Sequence, residues 1–172
     1  DPLQYAFNKV SGLTRQTALY AGNAFDRVFR AASLVQAGQT PFETLYTDGL
    51  VSLRYYPPLA EDFIELDGEM IDVERTPHKT PIVIVPPLAV NMLIYDLFPQ
   101  RSLVRFLRAK GFEVYLIDWG VPTRQHSHYN LHTYVAEWLP AYLNRVREHS
   151  GEQELSLHGW SLGGMFTLFY SA

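Results

Sequence analysis

Residues 154–172, ELSLHGWSLGGMFTLFYSA, pass from a strand to a helix with almost no connecting chain. The strand is ELSLHG (154–159), and the helix begins in LGGMFTLFYSA (162–172). Between them stands Gly159–Trp160–Ser161–Leu162–Gly163. A turn this sharp presses the positions two away from its apex against the apex backbone, so only residues with little or no side chain fit there. Here both are glycine, and Gly164 lets the following helix pack close. The apex hydroxyl of Ser161 is then lifted above the sheet, beside a helix N-terminus. The five-residue pattern alone is weak. Its place between an apolar strand and a helix gives it meaning.

A turn of this kind belongs in a parallel sheet, and the preceding chain supplies one. IVIVP (82–86) is a continuous apolar run, as expected of a strand covered on both faces. PLAVNMLIYDLFPQ (87–100) reads as a loop and RSLVRFLRAKG (101–111) as a helix ended by Gly111. On that helix Leu103, Phe106 and Leu107 share one face, and Arg101, Arg105 and Arg108 the other. FEVYLIDW (112–119) is the next strand. After the loop GVPTRQHSHYN (120–130) comes a long helix with its stripe at Leu131, Tyr134, Val135, Trp138, Leu139, Tyr142, Leu143 and Val146. Pro140 inside it predicts a kink. Strand, helix, strand, helix, strand, serine turn, helix: right-handed crossovers make this an α/β fold, with a mixed, mostly parallel sheet and helices on both faces.

Upstream, TLYTDGLVSLRYY (44–56) and FIELDGEMIDV (63–73) read as two hairpins turning at Asp48–Gly49 and Asp67–Gly68. Asp-Gly suits the type I′ turn, and two hairpins fit the antiparallel start of a mixed sheet. Residues 13–37 carry a helical stripe of core-packing character, from Ala18 and Ala21 to Val35. The domain reading is an N-terminal helical segment over 1–43 and a sheet-and-helix core over 44–172.

Composition narrows the function. With 47% apolar and 19% charged residues among 172, the chain has the makings of one folded domain. A net charge of −4 gives no reason to expect a nucleic acid partner. The absence of cysteine removes disulfides, thiolate metal sites and a thiol nucleophile, and fits a reducing, cytoplasmic compartment. No apolar run approaches the roughly 20 residues of a transmembrane helix.

Ser161 is the candidate nucleophile. The backbone N–H of Leu162 supplies half of an oxyanion hole; the other half normally comes from the loop after an earlier strand, here the one starting at Pro87. Proline has no N–H, so Leu88 is the candidate; the competing reading is that Pro86–Pro87 merely ends the strand. No histidine reads as a general base. His158 lies in the same strand and points away from the hydroxyl. His126, His128 and His132 lack a carboxylate or thiol to complete a metal site and read as solvated. His78 and His149 sit in a polar turn and at a helix end. The reading calls for no metal and no cofactor.

Three stretches, PIVIVPPLAVN, RSLVRFLRAKGFEVYLIDWG and LSLHGWSLGGMFTLFYSA, resemble polyhydroxyalkanoate synthases, α/β-hydrolase-like polymerases of hydroxyacyl-CoA. YLIDWG and the doubled glycine after the serine are the more specific features, and TPFETLYTDGLVSLRYYPP resembles the segment leading into that family's core. The resemblance implies an α/β-hydrolase fold in which the acid and the base follow the nucleophile. Both are then expected beyond Ala172, so the chain reads as a fragment whose sheet is truncated after the nucleophile elbow. The resemblance further implies a small-molecule acyl ester or acyl-CoA substrate, with polyester as product or partner, a granule-associated location, and room for a homodimer. Arg101, Arg105 and Arg108 are candidates for CoA phosphates, though a solvated helix face is the simpler reading. One departure matters: those synthases carry cysteine at the nucleophile position, and this chain has Ser161. An acyl-serine is an ordinary ester, less reactive than a thioester. Three readings stay open: a synthase-like acyltransferase, a serine ester hydrolase of esterase or depolymerase type, and a non-catalytic binding relative.

Overall fold

The computed structural model describes residues 37–88 and 90–172. The helix expected over 13–37 falls, but for its last residue, outside the described residues. Among those described, nine strands and three α-helices follow: β1 (Glu43–Asp48), β2 (Val51–Tyr56), β3 (Phe63–Leu66), β4 (Glu69–Asp72), β5 (Ile82–Val85), β6 (Asp96–Phe98), β7 (Arg101–Ser102), α1 (Leu103–Ala109), β8 (Val114–Asp118), α2 (Leu139–Ser150), β9 (Ser156–Gly159) and α3 (Leu162–Ser171). Five strands make the main sheet in the order β1-β2-β8-β5-β9. β1, β2 and β8 pair antiparallel, whereas β8, β5 and β9 run parallel. This is the mixed sheet with a parallel centre that the strand–helix rhythm predicts.

Both faces of the sheet are covered, which is why its central strands are apolar throughout. Val83, Val85, Tyr115 and Ile117 point to one side, where Leu139, Tyr142, Leu143, Val146 and Phe166 of α2 and α3 cover them. Ile84, Val114 and Leu116 point to the other, against Val104 of α1 and Tyr95. β9 lies at one edge of the sheet, and α3 beside it exposes Met165, Leu168 and Phe169. Among the described residues no helix is long and apolar enough to cross a membrane.

The structure departs from the sequence reading in several places. The first hairpin turns on Gly49–Leu50, because Asp48 pairs with Val51. Only Gly49 then needs a positive φ (57°), which is the II′ pattern with glycine first. The second hairpin does turn on Asp67–Gly68, both at positive φ (53° and 85°). Its strands β3 and β4 form a separate two-stranded sheet and do not extend the main one. The helix expected from residue 101 starts at Leu103: Arg101–Ser102 pair with β6, and the Ser102 side chain caps α1 by accepting from Arg105 N–H at 3.1 Å.

The arginine face expected over 101–111 also needs correction. Arg108 is buried, donating to the carbonyls of Pro57 (3.1 Å) and Phe112 (2.7 Å). Its burial lowers its pKa, with Tyr55 and Glu113 acting in the opposite sense. Phe106, read as sharing a face with Leu103 and Leu107, is exposed. The longer helix also behaves differently from a simple kink. Thr133–Trp138 is π-helical, with Leu139 N–H bonding to Tyr134 O, before α2 begins. Pro140 has no N–H, and its ring would strike the carbonyl four residues back in a regular helix. Widening the preceding turn removes the conflict.

Buried phenols make the fold sensitive to alkali. Tyr56 and Tyr142 are each pushed up to about 12, chiefly by burial, and Tyr142 donates to Val51 O at 2.6 Å. Tyr115 is shifted in the same direction by burial and by its bond to Glu113. Above the unfolded pKa of about 10, the unfolded chain releases protons that the folded one keeps. Stability is therefore expected to hold below pH 10 and to fall as pH rises toward 12. Urea unfolding midpoints measured between pH 8 and 11.5 check this, and a midpoint constant across that range would contradict it.

Candidate active site

Ser161 sits at φ 53°, ψ −124°, between the last residues of β9 and the first of α3. L-residues rarely adopt a positive φ, and holding one there costs about 1–3 kcal/mol. Asp67, the other such residue among those described, stands in a hairpin turn that calls for it. At Ser161 the cause is the close approach of helix to strand. A Cβ on Gly159 would lie 2.6 Å from Gly163 O and 2.7 Å from Gly164 Cα. A Cβ on Gly163 would overlap the carbonyl oxygen of Val85 and lie 2.9 Å from Pro86 O. On Gly164 it would lie 3.2 Å from Gly159 O. The turn is closed by Gly163 N–H to Trp160 O (3.0 Å), and Met165 N–H bonds to Ser161 O (3.2 Å). Ser161 and Trp160 are exposed, while Leu162 is half-buried and opens α3. Its N–H is among the donors that a helix start leaves without an internal partner.

The loop after β5 stands beside this turn. Val85 is in register with Gly159, so both strands deliver their connections to the same end of the sheet. Pro86 and Pro87 are buried and lack an N–H, which makes Leu88 the first donor after the strand. The loop is anchored: Trp119, buried, donates its indole N–H to Pro86 O at 2.8 Å. Leu88 packs on the cluster beneath α3. Further on, the Asn91 side chain accepts from Leu93 N–H at 3.0 Å and caps a short 3-10 turn, Met92–Tyr95.

Residues 80–172 match the family described as alpha/beta hydrolase fold. The chain belongs to that family. Within it, the chain is similar to the poly(3-hydroxyalkanoate) polymerase subunits PhaC of Haloferax mediterranei (35% identical over 149 residues, 87% of this chain) and Haloarcula marismortui (35% over 138 residues, 80%). That of Synechocystis is 31% identical over 138 residues, again 80% of the chain. The chain spans 27%, 28% and 33% of the lengths of these relatives, respectively. It is thus a PhaC-like alpha/beta hydrolase sequence over about a third of such a protein.

Each histidine of this alpha/beta hydrolase core contacts a neighbouring side chain. His149 Nδ1 meets the Tyr115 hydroxyl at 2.7 Å, and His126 Nδ1 caps a turn by bonding Thr123 N–H at 3.0 Å. His132 pairs with Glu137 at 3.1 Å, His128 stands edge-on to Tyr129, and His78 stacks on Phe112. His158 is exposed, in register with Ile84, and edge-on to Tyr95. No group of three metal-ligating side chains is assembled among the described residues. Arg101 pairs with Asp67 (3.0 Å) and Arg105 with Glu61 (2.9 Å). With Arg108 buried, none of the three arginines stands as a free cation on an open helix face.

Sequence reasoning missed one pair near the site. Arg54 of β2 forms a half-buried ion pair with Asp118 at the end of β8, and its guanidinium lies 4.3 Å over the Phe42 ring and 3.7 Å from Met92 Sδ. Asp118 also accepts from Gly120 N–H at 2.9 Å, turning the loop after β8. The available signal was an acid ending an otherwise apolar strand, since strand carboxyl ends in open α/β sheets are where ligands bind.

Proposed function

We propose that Ser161 is the nucleophile of an acyl transfer, and that the chain carries the nucleophile-bearing part of a polyhydroxyalkanoate-polymerase-like acyltransferase. The carrying observation is the exposed serine held at positive φ by glycines whose replacement would collide with backbone. In the reaction Ser161 Oγ bonds to the acyl carbon of a hydroxyacyl thioester or ester. Its proton passes to a general base, and the thiolate or alkoxide leaves. The N–H groups of Leu162 and Leu88 stabilise the oxyanion. The base and the acid that orients it come after the nucleophile in this family's chain order. The relatives' names, as poly(3-hydroxyalkanoate) polymerases, support a 3-hydroxyacyl donor and a polyester product; a coenzyme A thioester as that donor and a cytoplasmic, granule-associated setting belong to the same proposal. A second reading, serine ester hydrolase, is favoured by Ser161 itself, because an acyl-serine is an ordinary ester with water as a ready acceptor.

The test uses the complete polypeptide. A fluorophosphonate probe is expected to label one peptide, the one containing Ser161, and Ser161→Ala is expected to abolish the label. A folded protein that takes no label at Ser161 would overturn the proposal in favour of a binding role. With 3-hydroxybutyryl-CoA, polymer identifies the transferase and free 3-hydroxybutyrate the hydrolase.

A further inference from the structure

The proposed oxyanion donor Leu88 also lines a second feature of the same sheet end. A cleft of about 320 Å³ opens between the loop after β5 and the loop after β8, walled by Leu88, Val90, Met92, Val121 and Pro122, with Asp118 at its base. Its position follows from the topology. β5 leads to α1 on one face of the sheet, whereas its neighbour β8 leads toward α2 on the other. Connections that part to opposite faces leave a crevice at the carboxyl ends of adjacent strands. β9, on the other side of β5, also sends its helix to the α2 face. The β5 loop is therefore flanked by two such crevices, one holding Ser161 and the other this cleft.

The side-chain oxygens in the cleft are already matched. One Asp118 oxygen takes the Arg54 guanidinium and the other takes Gly120 N–H. The Asn91 side-chain oxygen is engaged by Leu93 N–H. The lining therefore presents hydrocarbon over a neutralised base, unsuited to a phosphate and suited to an alkyl group. The Arg54–Asp118 pair joins β2 to the end of β8, and the Arg54 contact to Met92 holds the two walls at fixed spacing.

We infer that this cleft binds the alkyl side chain of the acyl substrate. The inference rests on the proposed role of Leu88: an acyl carbonyl on that N–H has its substituents within reach of the Leu88 side chain, and that side chain is a wall of the cleft. Val121, 78% exposed at the rim, is the specificity-setting position, because a larger side chain there closes the mouth.

The experiment separates this inference from the nucleophile assignment by reading binding in the complete protein with Ser161→Ala. The probe is a non-transferable 2-oxoheptyl thioether of coenzyme A, the ketone analogue of the hexanoyl thioester, carrying a diazirine at the chain end. Photolysis is expected to place the crosslink within residues 88–92 or 118–122. Adding Val121→Trp is expected to cut the yield about tenfold, the equivalent of roughly two buried methylenes, with an unchanged circular dichroism spectrum. Crosslinks elsewhere, no crosslink, or a yield indifferent to Val121→Trp would overturn the cleft assignment. Fluorophosphonate labelling of wild type reads the nucleophile independently.

Discussion

Gly163→Ala is expected to destabilise the protein by about 3 kcal/mol or more, enough to deplete the folded state of a marginally stable domain. The added methyl has nowhere to go. Its Cβ would overlap the Val85 carbonyl oxygen and press on the Pro86 backbone, at the end of β5 and the start of the loop after it. Relief requires β5 and the start of α3 to separate, and that separation opens the turn holding Ser161. Gly151 provides the internal comparison. It ends α2 in the left-handed conformation at φ 76°, and a methyl added there would meet nothing within 4 Å. Alanine at this position meets only the backbone penalty of about 1–2 kcal/mol. The two substitutions thus separate crowding from conformational strain, since Gly163 has no left-handed φ to lose. Denaturant unfolding of both variants in the complete protein checks the ordering. Equal midpoints for Gly163→Ala and wild type would mean that the helix and strand are not packed as described.

That crowding was legible in the sequence because it follows from local geometry: a strand, two residues and a helix leave room for glycine alone at the positions flanking the apex. The core strands were legible for a related reason. A strand buried on both faces is written in continuous apolar residues, and β5 and β8 are written so. What the sequence hid was pairing between distant segments. Nothing in RSLVRFLRAKG shows that Pro57 and Phe112 carbonyls stand ready to receive Arg108, so a buried arginine read as a solvated one. The first hairpin slipped by one residue because Asp48–Gly49 and Gly49–Leu50 both offer a glycine, and the pairing of Asp48 with Val51 decides between them. The second hairpin obeys its turn signal but docks on Ala109 of α1 with a small cluster of its own. At the candidate site, Ser161 and its glycines are local features and could be read as a sharp turn from the sequence. Arg54 and Asp118 are 64 residues apart in the chain and could not be read as a pair.

Exchanging the proposed nucleophile is expected to have the largest functional effect. Ser161→Ala removes the atom proposed to bond to the acyl group, and turnover of 3-hydroxybutyryl-CoA by the complete protein is then expected to fall on the order of 10⁴-fold or more. Ser161→Cys tests the chemistry more finely. The exposed turn accommodates sulfur, since Ser161 is not enclosed by packed side chains and the substitution leaves the backbone demand unchanged. Sulfur conjugates with the acyl carbonyl less than oxygen does, so the acyl-enzyme stays activated toward a hydroxyl. Passing the acyl group from cysteine to the hydroxyl of a waiting chain runs downhill; from serine, it exchanges one ester for another. Water gains from the difference, because an acyl-serine that waits longer for its acceptor meets solvent more often. The ratio of polymer to free acid is therefore expected to rise about tenfold in Ser161→Cys, a difference of about 1.4 kcal/mol between the two transfer barriers. Product analysis by chromatography, with acid and polymer counted from the same labelled substrate, measures it directly. A ratio unchanged by the sulfur would show that the partition is set by access of the acceptor and not by the bond at residue 161.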